Sequence, residues 1–327
     1  MKAIVYHEYG PPNVLRCEEI EKPTPGDSEV LLQIRAAALN PYDWHFMRGE
    51  PYAVRLMAGI VKPKNKRLGV DVAGIVEAVG RSVAQFKAGE EVYGLCQGAF
   101  GEYVCTAESK LVKKPDGMTF EQAASIPIAA LTALQSLRDK GKIQPGHSVL
   151  VNGASGGVGT FGVQIAKAFG AKVAGVTSTR NVELVRSIGA DEVIDYTKQD
   201  FTKGEHRFDL ILDCVGNHSF LECRRVLNPQ GKVIGAGGKT DNWMLEPIGR
   251  MISSAVQSLF VSQKQVSIFA KMNQTDLLAM NELITSGKVT PVIDRRCTLD
   301  DLPEAMHYLE EGHARGKVVM VAETSAH

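Results

Sequence analysis

A glycine-rich turn between an apolar run and a helical pattern is the strongest chemical signal in this sequence. The segment VLVNGASGGVGTFGVQIAKAFGA starts with the apolar residues 149–151 and ends in a helix-like stretch. Ala154, Gly156 and Gly159 hold the three small-residue positions of a dinucleotide-binding turn, whose following helix offers free N–H groups to a pyrophosphate. A tight turn that only packs is the alternative. We expect four residues here to bind a cofactor: Ser155, Gly156, Gly157 and Val158.

The strand that follows this turn indicates which cofactor is bound. An NAD site places Asp or Glu about 20 residues beyond the turn, to accept hydrogen bonds from the ribose 2′-OH. Here the strand KVAGVTSTRN ends without an acid and presents the Ser178 hydroxyl and the Arg180 guanidinium. These groups suit a 2′-phosphate, so we predict NADPH rather than NADH. The alternative for Arg180 is a solvated charge in the first turn of the next helix.

The elements that position these groups fall into two patterns. Up to about residue 118, short β-rich runs are separated by Gly and Pro, which predicts a β-rich lobe of barrel or sandwich type. From Thr119, a predicted N-cap with Gln122 as its capping-box partner, helices alternate with strands, which predicts a parallel, doubly wound sheet. We predict an α/β fold in which residues 1–120 and 290–327 form one domain and residues 121–289 a second.

Bulk composition excludes several classes of function. Lys plus Arg equals Asp plus Glu at 37 each, so no net field attracts nucleic acid, and a small molecule is the default ligand. The six cysteines form no C-x-x-C pair, which argues against a zinc ribbon or a disulfide scaffold and favours a reducing cytosol. No signal peptide and no spanning apolar stretch are visible. We therefore expect a cytoplasmic protein without stable membrane insertion.

Several segments together resemble a known family. LGVDVAGIVEAVG, KAGEEVYG, GAFGEYV, GASGGVG and the closing GKVVMV are similar in order and spacing to the medium-chain dehydrogenase/reductase family. The resemblance covers nearly the whole chain. It implies a β-rich GroES-like catalytic domain interrupted by a Rossmann domain, with the active site in the cleft between the two.

The zinc ligands of this family are missing from their expected places. The zinc-dependent members use Cys-x-x-Asp and Gly-His-Glu, where this chain has Asn40-Pro-Tyr-Asp43 and Gly69-Val70-Asp71. An amide and an isopropyl group cannot replace a thiolate and an imidazole around zinc. The four-cysteine structural lobe is also absent. The sequence is thus most similar to the zinc-free quinone oxidoreductase and enone reductase branches, and no metal is expected.

The resemblance also implies catalytic residues. In that branch the matching Asn and Asp line the nicotinamide end of the cleft, so Asn40 and Asp43 are expected there; the alternative is a turn opener without chemistry. Tyr42, His45 and Tyr52 are nearby groups able to donate a proton to a developing enolate or quinol oxygen. For His45, a surface position is the alternative.

Further cofactor contacts are implied on the Rossmann side of the cleft and at one lysine near the C-terminus. Thr132, Tyr196 and Lys317 match family residues near the nicotinamide or the 2′-phosphate, with core or strand-end packing as the alternative for the first two. Cys214 and Gly237 follow the fourth and fifth strands, at the carboxyl ends where ligands of such sheets collect.

Two segments depart from the simpler members of the branch, namely residues 53–67 and the apolar run 243–265. Either could lie over a hydrophobic substrate pocket; a surface loop for the first and a dimer interface or core packing for the second are the alternatives.

The predicted function is an NADPH-dependent, zinc-independent reductase that transfers hydride to a quinone or an α,β-unsaturated carbonyl. These acceptors are electrophilic without a metal, whereas unactivated alcohols are not, so an alcohol dehydrogenase ranks lower. A non-catalytic NADPH-binding redox sensor or assembly partner is the alternative from another class. We further expect a homodimer.

Overall fold

The computed structural model describes residues 1–237 and 262–322, which divide into two compact units. Unit 1 comprises Met1–Ile128, Met272–Asn281 and Pro291–His327, and unit 2 comprises Ala129–Lys271 and Glu282–Thr290. The first break falls a few residues beyond the predicted boundary at residue 120. Most of the apolar run 243–265 lies outside the described residues.

The strands of the described residues are β1 (Lys2–Val5), β2 (Arg16–Glu19), β3 (Glu29–Leu39), β4 (Asp71–Val79), β5 (Glu91–Leu95), β6 (Tyr103–Ala107), β7 (Leu111–Lys113), β8 (Ser148–Asn152), β9 (Lys172–Thr177), β10 (Glu192–Asp195), β11 (Phe208–Asp213), β12 (Leu227–Gly235), β13 (Lys264–Ser267), β14 (Ile293–Cys297) and β15 (Lys317–Val321). The helices are α1 (Pro41–Arg48), α2 (Ala53–Ala58), α3 (Phe120–Ala124), α4 (Pro127–Gln135), α5 (Gly157–Ala168), α6 (Val182–Ser187), α7 (Phe220–Arg224), α8 (Gln274–Thr285) and α9 (Leu302–Glu310).

Unit 1 is built around the long central strand β3. The sheet order is β14-β15-β3-β4-β5-β7, and β6 also pairs with β3. The C-terminal stretch therefore returns to the N-terminal lobe, as predicted. Val318 on β15 faces Leu39 and Asp71 on β4 faces Ala38, so the last residues of β3 lie between the first residues of β15 and β4. This register gathers the polar residues found at those strand ends.

Unit 2 confirms the predicted parallel, doubly wound sheet. The order is β10-β9-β8-β11-β12-β13, and every pairing in it is parallel. The strand order reverses beside β8, so the carboxyl ends of β8 and β11 flank the point where ligands of such sheets bind. Ala174, Ile194, Ile211 and Phe208 contribute to the buried core of this unit.

The helix predicted to begin after Thr119 forms with the predicted cap but in two pieces. The Thr119 side chain accepts from Gln122 N at 3.2 Å, and Gln122 Oε1 accepts from Thr119 N at 3.0 Å. α3 then ends at Ala124 and α4 begins at Pro127, because a proline has no N–H to continue a helix and suits its first turn.

Candidate active site

The turn from β3 into α1 is fixed by the carboxylate of Asp43. Pro41 takes the first helical position and Asp43 the third, where its Oδ2 accepts from Asn40 N at 2.8 Å. Its Oδ1 accepts from Gly69 N at 3.0 Å. Gly69 has φ +93°, and a Cβ there would lie 2.8 Å from Phe100 N, so only glycine brings this N–H to the carboxylate. Asp43 thus joins the start of α1 to the residues before β4.

The Asn40 side chain lies in a buried hydrogen-bonded group, the buried triad of Asn40, Asp71 and Lys317. Asn40 Nδ2 donates to Asp71 Oδ2 at 3.0 Å and to Ala38 O at 3.1 Å. Lys317 Nζ donates to Asn40 Oδ1 at 2.5 Å and lies 3.5 Å from Asp71 Oδ2. Asp71 Oδ1 accepts from Ile128 N at 3.1 Å. Because both amide hydrogens of Asn40 are used, this side chain positions its neighbours and has no proton to offer a substrate.

Burial sets the protonation of these groups. Removal from water raises the pKa of Asp43 to about 7, against the stabilising backbone N–H groups of Asn40 and Gly69. Burial likewise raises the pKa of Asp71 and lowers that of Lys317, and in both cases the opposite charge of the partner counteracts the shift. All three side chains are almost inaccessible to solvent.

A pocket of about 180 Å³ opens in unit 1 beside Asp43. Its described lining residues are Tyr6, Tyr42, Asp43, Phe46, Met57, Ala58, Lys64, Asn65, Arg67, Leu68, Gly69, Val70 and Gln97. The rings of Tyr42 and Phe46, one turn apart on α1, stack with centroids 4.2 Å apart. Residues 53–67, predicted either to cover a pocket or to form a surface loop, therefore supply part of the pocket wall.

Among the three predicted proton donors, only Tyr42 lines this pocket. His45 Nδ1 lies 2.7 Å from Glu50 O, its ring is tilted against that of Trp44 with centroids 3.7 Å apart, and burial lowers its pKa. The Tyr52 ring is 47% exposed and carries the Arg55 guanidinium 4.4 Å above its centroid. A catalytic role for His45 or Tyr52 remains a prediction that the pocket geometry does not favour.

The residues at the family's zinc position do not fit the metal. Asn40 presents an amide already bonded to Asp71 and Lys317, and Val70 offers no donor atom. Within residues 1–237 and 262–322 there is no cluster of three His, Cys, Asp or Glu side chains able to hold a metal ion. Tetrahedral zinc needs thiolate, imidazole or carboxylate ligands, so no step of the chemistry is assigned to it.

In unit 2, the glycine-rich turn has the close packing that a dinucleotide requires. β8 leads into the turn, and α5 begins at Gly157 with Gly156 as its N-cap. A Cβ at Gly159 would lie 2.0 Å from Gly153 O, so the helix can approach the turn only because residue 159 is glycine. The first N–H groups of α5 have no acceptor within the helix and face an anion favourably.

Buried hydroxyls and an amide support this turn from the end of β9. Thr177 Oγ1 donates to Ser155 Oγ at 2.8 Å, and Asn181 Nδ2 donates to the same oxygen at 3.1 Å. Asn181 Nδ2 also lies 3.3 Å from Ser178 Oγ. The structure therefore links two predicted cofactor residues, Ser155 and Ser178, through Asn181, which sequence reasoning did not single out.

The other predicted cofactor residues of unit 2 are distributed as follows. Arg180 is exposed in the short turn after β9, and Tyr196, 57% exposed, follows β10 directly. Thr132 is buried in α4. Gly237 packs on Cys214, where a Cβ would lie 2.7 Å from the carbonyl oxygen, and so the two residues after β11 and β12 adjoin. Cofactor contacts at these positions remain predictions.

Comparisons with known proteins decide the family. Residues 26–116 match the alcohol dehydrogenase GroES-like domain, and residues 188–320 match a domain described as a zinc-binding dehydrogenase. The 2-methylene-furan-3-one reductase of Solanum lycopersicum is 36% identical over 98% of this chain and 79% of its own. The chain belongs to the medium-chain dehydrogenase/reductase family. A second relative, the chloroplastic NADPH-dependent alkenal/one oxidoreductase of Arabidopsis thaliana, is 35% identical over the same shares.

Solved structures agree with this medium-chain dehydrogenase/reductase assignment. The quinone oxidoreductase from Coxiella burnetii has a TM-score of 0.87 and 29% identity, covering 99% of each chain. The protein is thus an oxidoreductase that uses a nicotinamide cofactor, which leaves the non-catalytic alternative without support. No helix among the described residues is long and apolar enough to cross a membrane. The predictions of a cytoplasmic location and a homodimer remain untested.

Two charged residues of the site have roles that sequence reasoning missed. The sequence places Asp71 only beside an expected metal-ligand position and predicts Lys317 only as a cofactor contact. Each is a charged residue at the first position of a strand whose next five or four residues are apolar or glycine, DVAGIVEAV and KVVMV respectively. Because buried charges are paired, two opposite charges in such positions indicate a buried pair.

Proposed function

We propose that this medium-chain dehydrogenase/reductase is an NADPH-dependent reductase that adds hydride to an α,β-unsaturated carbonyl or a quinone. The observation that carries the proposal is the Asn40 amide, locked by Asp71 and Lys317 where the metal-dependent members place a thiolate. The protein has no donor set to polarise an alcohol there, so the substrate must itself be electrophilic. The relatives named for enone, alkenal and quinone substrates agree with this class.

The residues of the pocket would bind such a substrate and supply its proton. A bound nicotinamide dinucleotide would supply the hydride. Tyr6, Tyr42 and Phe46 give the pocket aromatic walls suited to a flat conjugated group. The Tyr42 hydroxyl, whose pKa burial raises, remains protonated at neutral pH and can donate to the oxygen that gains negative charge.

The preference for NADPH is proposed on the end of β9. Ser178 and Arg180 stand where an NAD enzyme has a carboxylate, and a guanidinium suits a 2′-phosphate. The test is the rate of NADPH and of NADH oxidation with a panel of enals and quinones. Arg180→Gln should lower kcat/KM for NADPH by about 10-fold to 100-fold, with little effect on NADH. A wild-type enzyme that prefers NADH would refute the assignment of Arg180.

Tyr42→Phe tests the proposed proton donor. The variant keeps the ring that stacks on Phe46 but removes the hydroxyl, so kcat should fall by about 10-fold to 100-fold with unchanged NADPH binding. Tyr52→Phe is the matched control, because that ring does not line the pocket, and its kcat should stay within about twofold. Equal losses in the two variants would remove Tyr42 from this role.

A further inference from the structure

Two cations line the pocket of unit 1, and the proposed reaction uses neither of them. They are Lys64 and Arg67. Asp43 is the sole carboxylate among the described lining residues, and both of its oxygens accept backbone N–H groups. Within residues 1–237 and 262–322, no carboxylate lies within ion-pairing distance of either cation. The pocket therefore carries an uncompensated positive charge.

Arg67 is held rigidly by groups that leave its charge unneutralised. Its Nη2 donates to Gly98 O at 2.5 Å and to Tyr103 O at 2.9 Å, and both acceptors are neutral carbonyls. Its Nε is buried without a hydrogen-bond partner. An unpaired buried donor costs free energy, and the charge of Arg67, which the neutral carbonyls leave unneutralised, would attract an anion bound in the pocket.

Lys64 is positioned by its backbone rather than by its side chain. Lys64 N donates to Ala58 O at 2.7 Å, closing the turn that follows α2. Gly59 enters this turn with φ +126°, where a Cβ would lie 2.2 Å from Lys62 O. The chain is thus fixed at the base of an exposed lysine whose ammonium can reach a ligand in the pocket.

We infer that the preferred substrates are enones or quinones that also carry an anionic group, in the simplest case a carboxylate. This inference rests on the proposed function and adds the substrate class. Lys64 and Arg67 bind the anion, while the rings of Tyr42 and Phe46 hold the conjugated group. For an enone, hydride adds to the β-carbon, the π-electron pair of the alkene moves towards the carbonyl oxygen, and Tyr42 donates a proton to that oxygen. The enol then becomes the ketone, because its α-carbon takes a proton from water and its oxygen returns one to Tyr42. A bound NADPH would supply the hydride and be released as NADP⁺, and the anionic group is unchanged.

A matched acid and ester test the inference. The probes are trans-β-acetylacrylate and its methyl ester, which share one enone and differ in charge. The ester is the more electrophilic, so a lower KM for the acid cannot come from reactivity. We expect the acid to have a KM about tenfold lower than the ester, and this advantage to shrink as salt is added.

Variants at the lysines separate a specific site from a general effect of charge. Lys64→Gln should raise KM for the acid by about tenfold and leave KM for the ester and for NADPH within about twofold. Lys64→Arg keeps the charge and should have a KM for the acid close to that of the wild type. Lys62→Gln removes the same charge from the same segment, but Lys62 does not line the pocket, so this variant should leave KM for both the acid and the ester unchanged. Equal KM values for acid and ester, or no effect of Lys64→Gln, would overturn the inference.

A binding measurement distinguishes failure of this inference from failure of the proposed function. Levulinate and methyl levulinate are the saturated counterparts of the probes, and calorimetry reports their binding without turnover. If neither unsaturated probe is reduced, the proposed reductase function is contradicted. The anion site would still be supported in that case if levulinate binds and Lys64→Gln weakens its binding. Absence of levulinate binding would overturn the anion site whatever the turnover.

Discussion

The ammonium of Lys317 and the carboxylate of Asp71 are a charge pair removed from water, with the Asn40 amide bonded to both. Taking one member away leaves the other charged and buried, which usually costs more than the pair itself contributes. The triad is therefore sensitive to the loss of either charge. We interpret it as a device that fixes the end of β3 against β4 and β15.

A double-mutant cycle measures this coupling. Lys317→Met and Asp71→Leu should each lower the free energy of unfolding by about 3–5 kcal/mol, because each leaves a buried charge unpaired. The double variant should be destabilised by clearly less than the two effects added together. Denaturant unfolding gives the three values. Additivity within about 0.5 kcal/mol would show that the two charges do not interact.

Asp43 predicts a pH dependence of stability. Burial raises the pKa of Asp43 to about 7 in the folded protein, whereas an unfolded chain titrates near 3.8. Between these values the folded state holds a proton that the unfolded state has lost, so the stabilisation from Asp43 falls as the pH rises through this range. The slope is at most about 1.4 kcal/mol per pH unit.

The measurement compares wild type with Asp43→Asn from pH 5 to about 8 by denaturant unfolding. Asparagine can accept only one of the two backbone N–H groups, so the variant is less stable throughout, but it does not titrate. The difference in free energy of unfolding between wild type and Asp43→Asn should become smaller as the pH rises. An advantage that widens would mean that the backbone donors hold the pKa of Asp43 below its unfolded value.

At this scale the sequence identified Asn40 and Asp43 but not how they act. Their spacing is visible in the chain, whereas the partners of the Asn40 side chain, Asp71 and Lys317, are 31 and 277 residues distant. Strand register brings them together, and register depends on long-range pairing. The roles of Arg67 and Lys64 escape the sequence for another reason, because a run of basic residues is typical of a solvated surface.

Among the elements, the turn between β8 and α5 was predictable because its geometry is local. Small residues at fixed spacing between a strand and a helix allow few backbone paths. Pro127 marks the break between α3 and α4 in the sequence. The helical spacing of the apolar residues continues through this proline, however, and so predicts one unbroken helix.

Gly159→Ala tests the packing of this turn. The added methyl carbon would lie 2.0 Å from Gly153 O, so α5 must move away from the turn. We expect at least a tenfold loss of NADPH affinity and a free energy of unfolding lowered by about 1–3 kcal/mol. Gly204→Ala is the control, because its backbone is extended and its nearest contact would be 3.4 Å. If Gly159→Ala binds NADPH as tightly as wild type, the close packing of this turn is not needed for cofactor binding.

At the scale of the whole molecule, unit 1 is assembled from segments that are far apart along the chain. Unit 1 takes its N-terminal 128 residues, a helical segment and the C-terminal strands, with unit 2 between them in sequence. The parallel sheet was predictable from the alternation of strands and helices, and the return of the C-terminal stretch to unit 1 was predictable from its closing strand GKVVMV. The assignment of residues 272–281 to unit 1 was not predictable, because it depends on tertiary contacts.

Truncation after residue 128 tests the contribution of the C-terminal strands. The fragment lacks β15, so residues 36–39 of β3 lose their partner strand on one edge while residues 29–33 keep β6, and Asp71 loses Lys317. We expect it to be unfolded or aggregated by circular dichroism and sedimentation. Joining residues 291–322 to it through a Gly-Ser linker should restore β-sheet signal. A soluble, folded fragment without them would show that β15 is dispensable.

The interleaving of the two units also imposes an order on synthesis. All the strands of the parallel sheet, β8 to β13, leave the ribosome before β14 and β15, because translation proceeds from the N-terminus. Residues 36–39 of β3 therefore remain without a partner strand on one edge while the dinucleotide-binding sheet assembles. The nascent chain is most exposed to aggregation during this interval, and chaperones that shield β edges would act on this protein before its final strand appears.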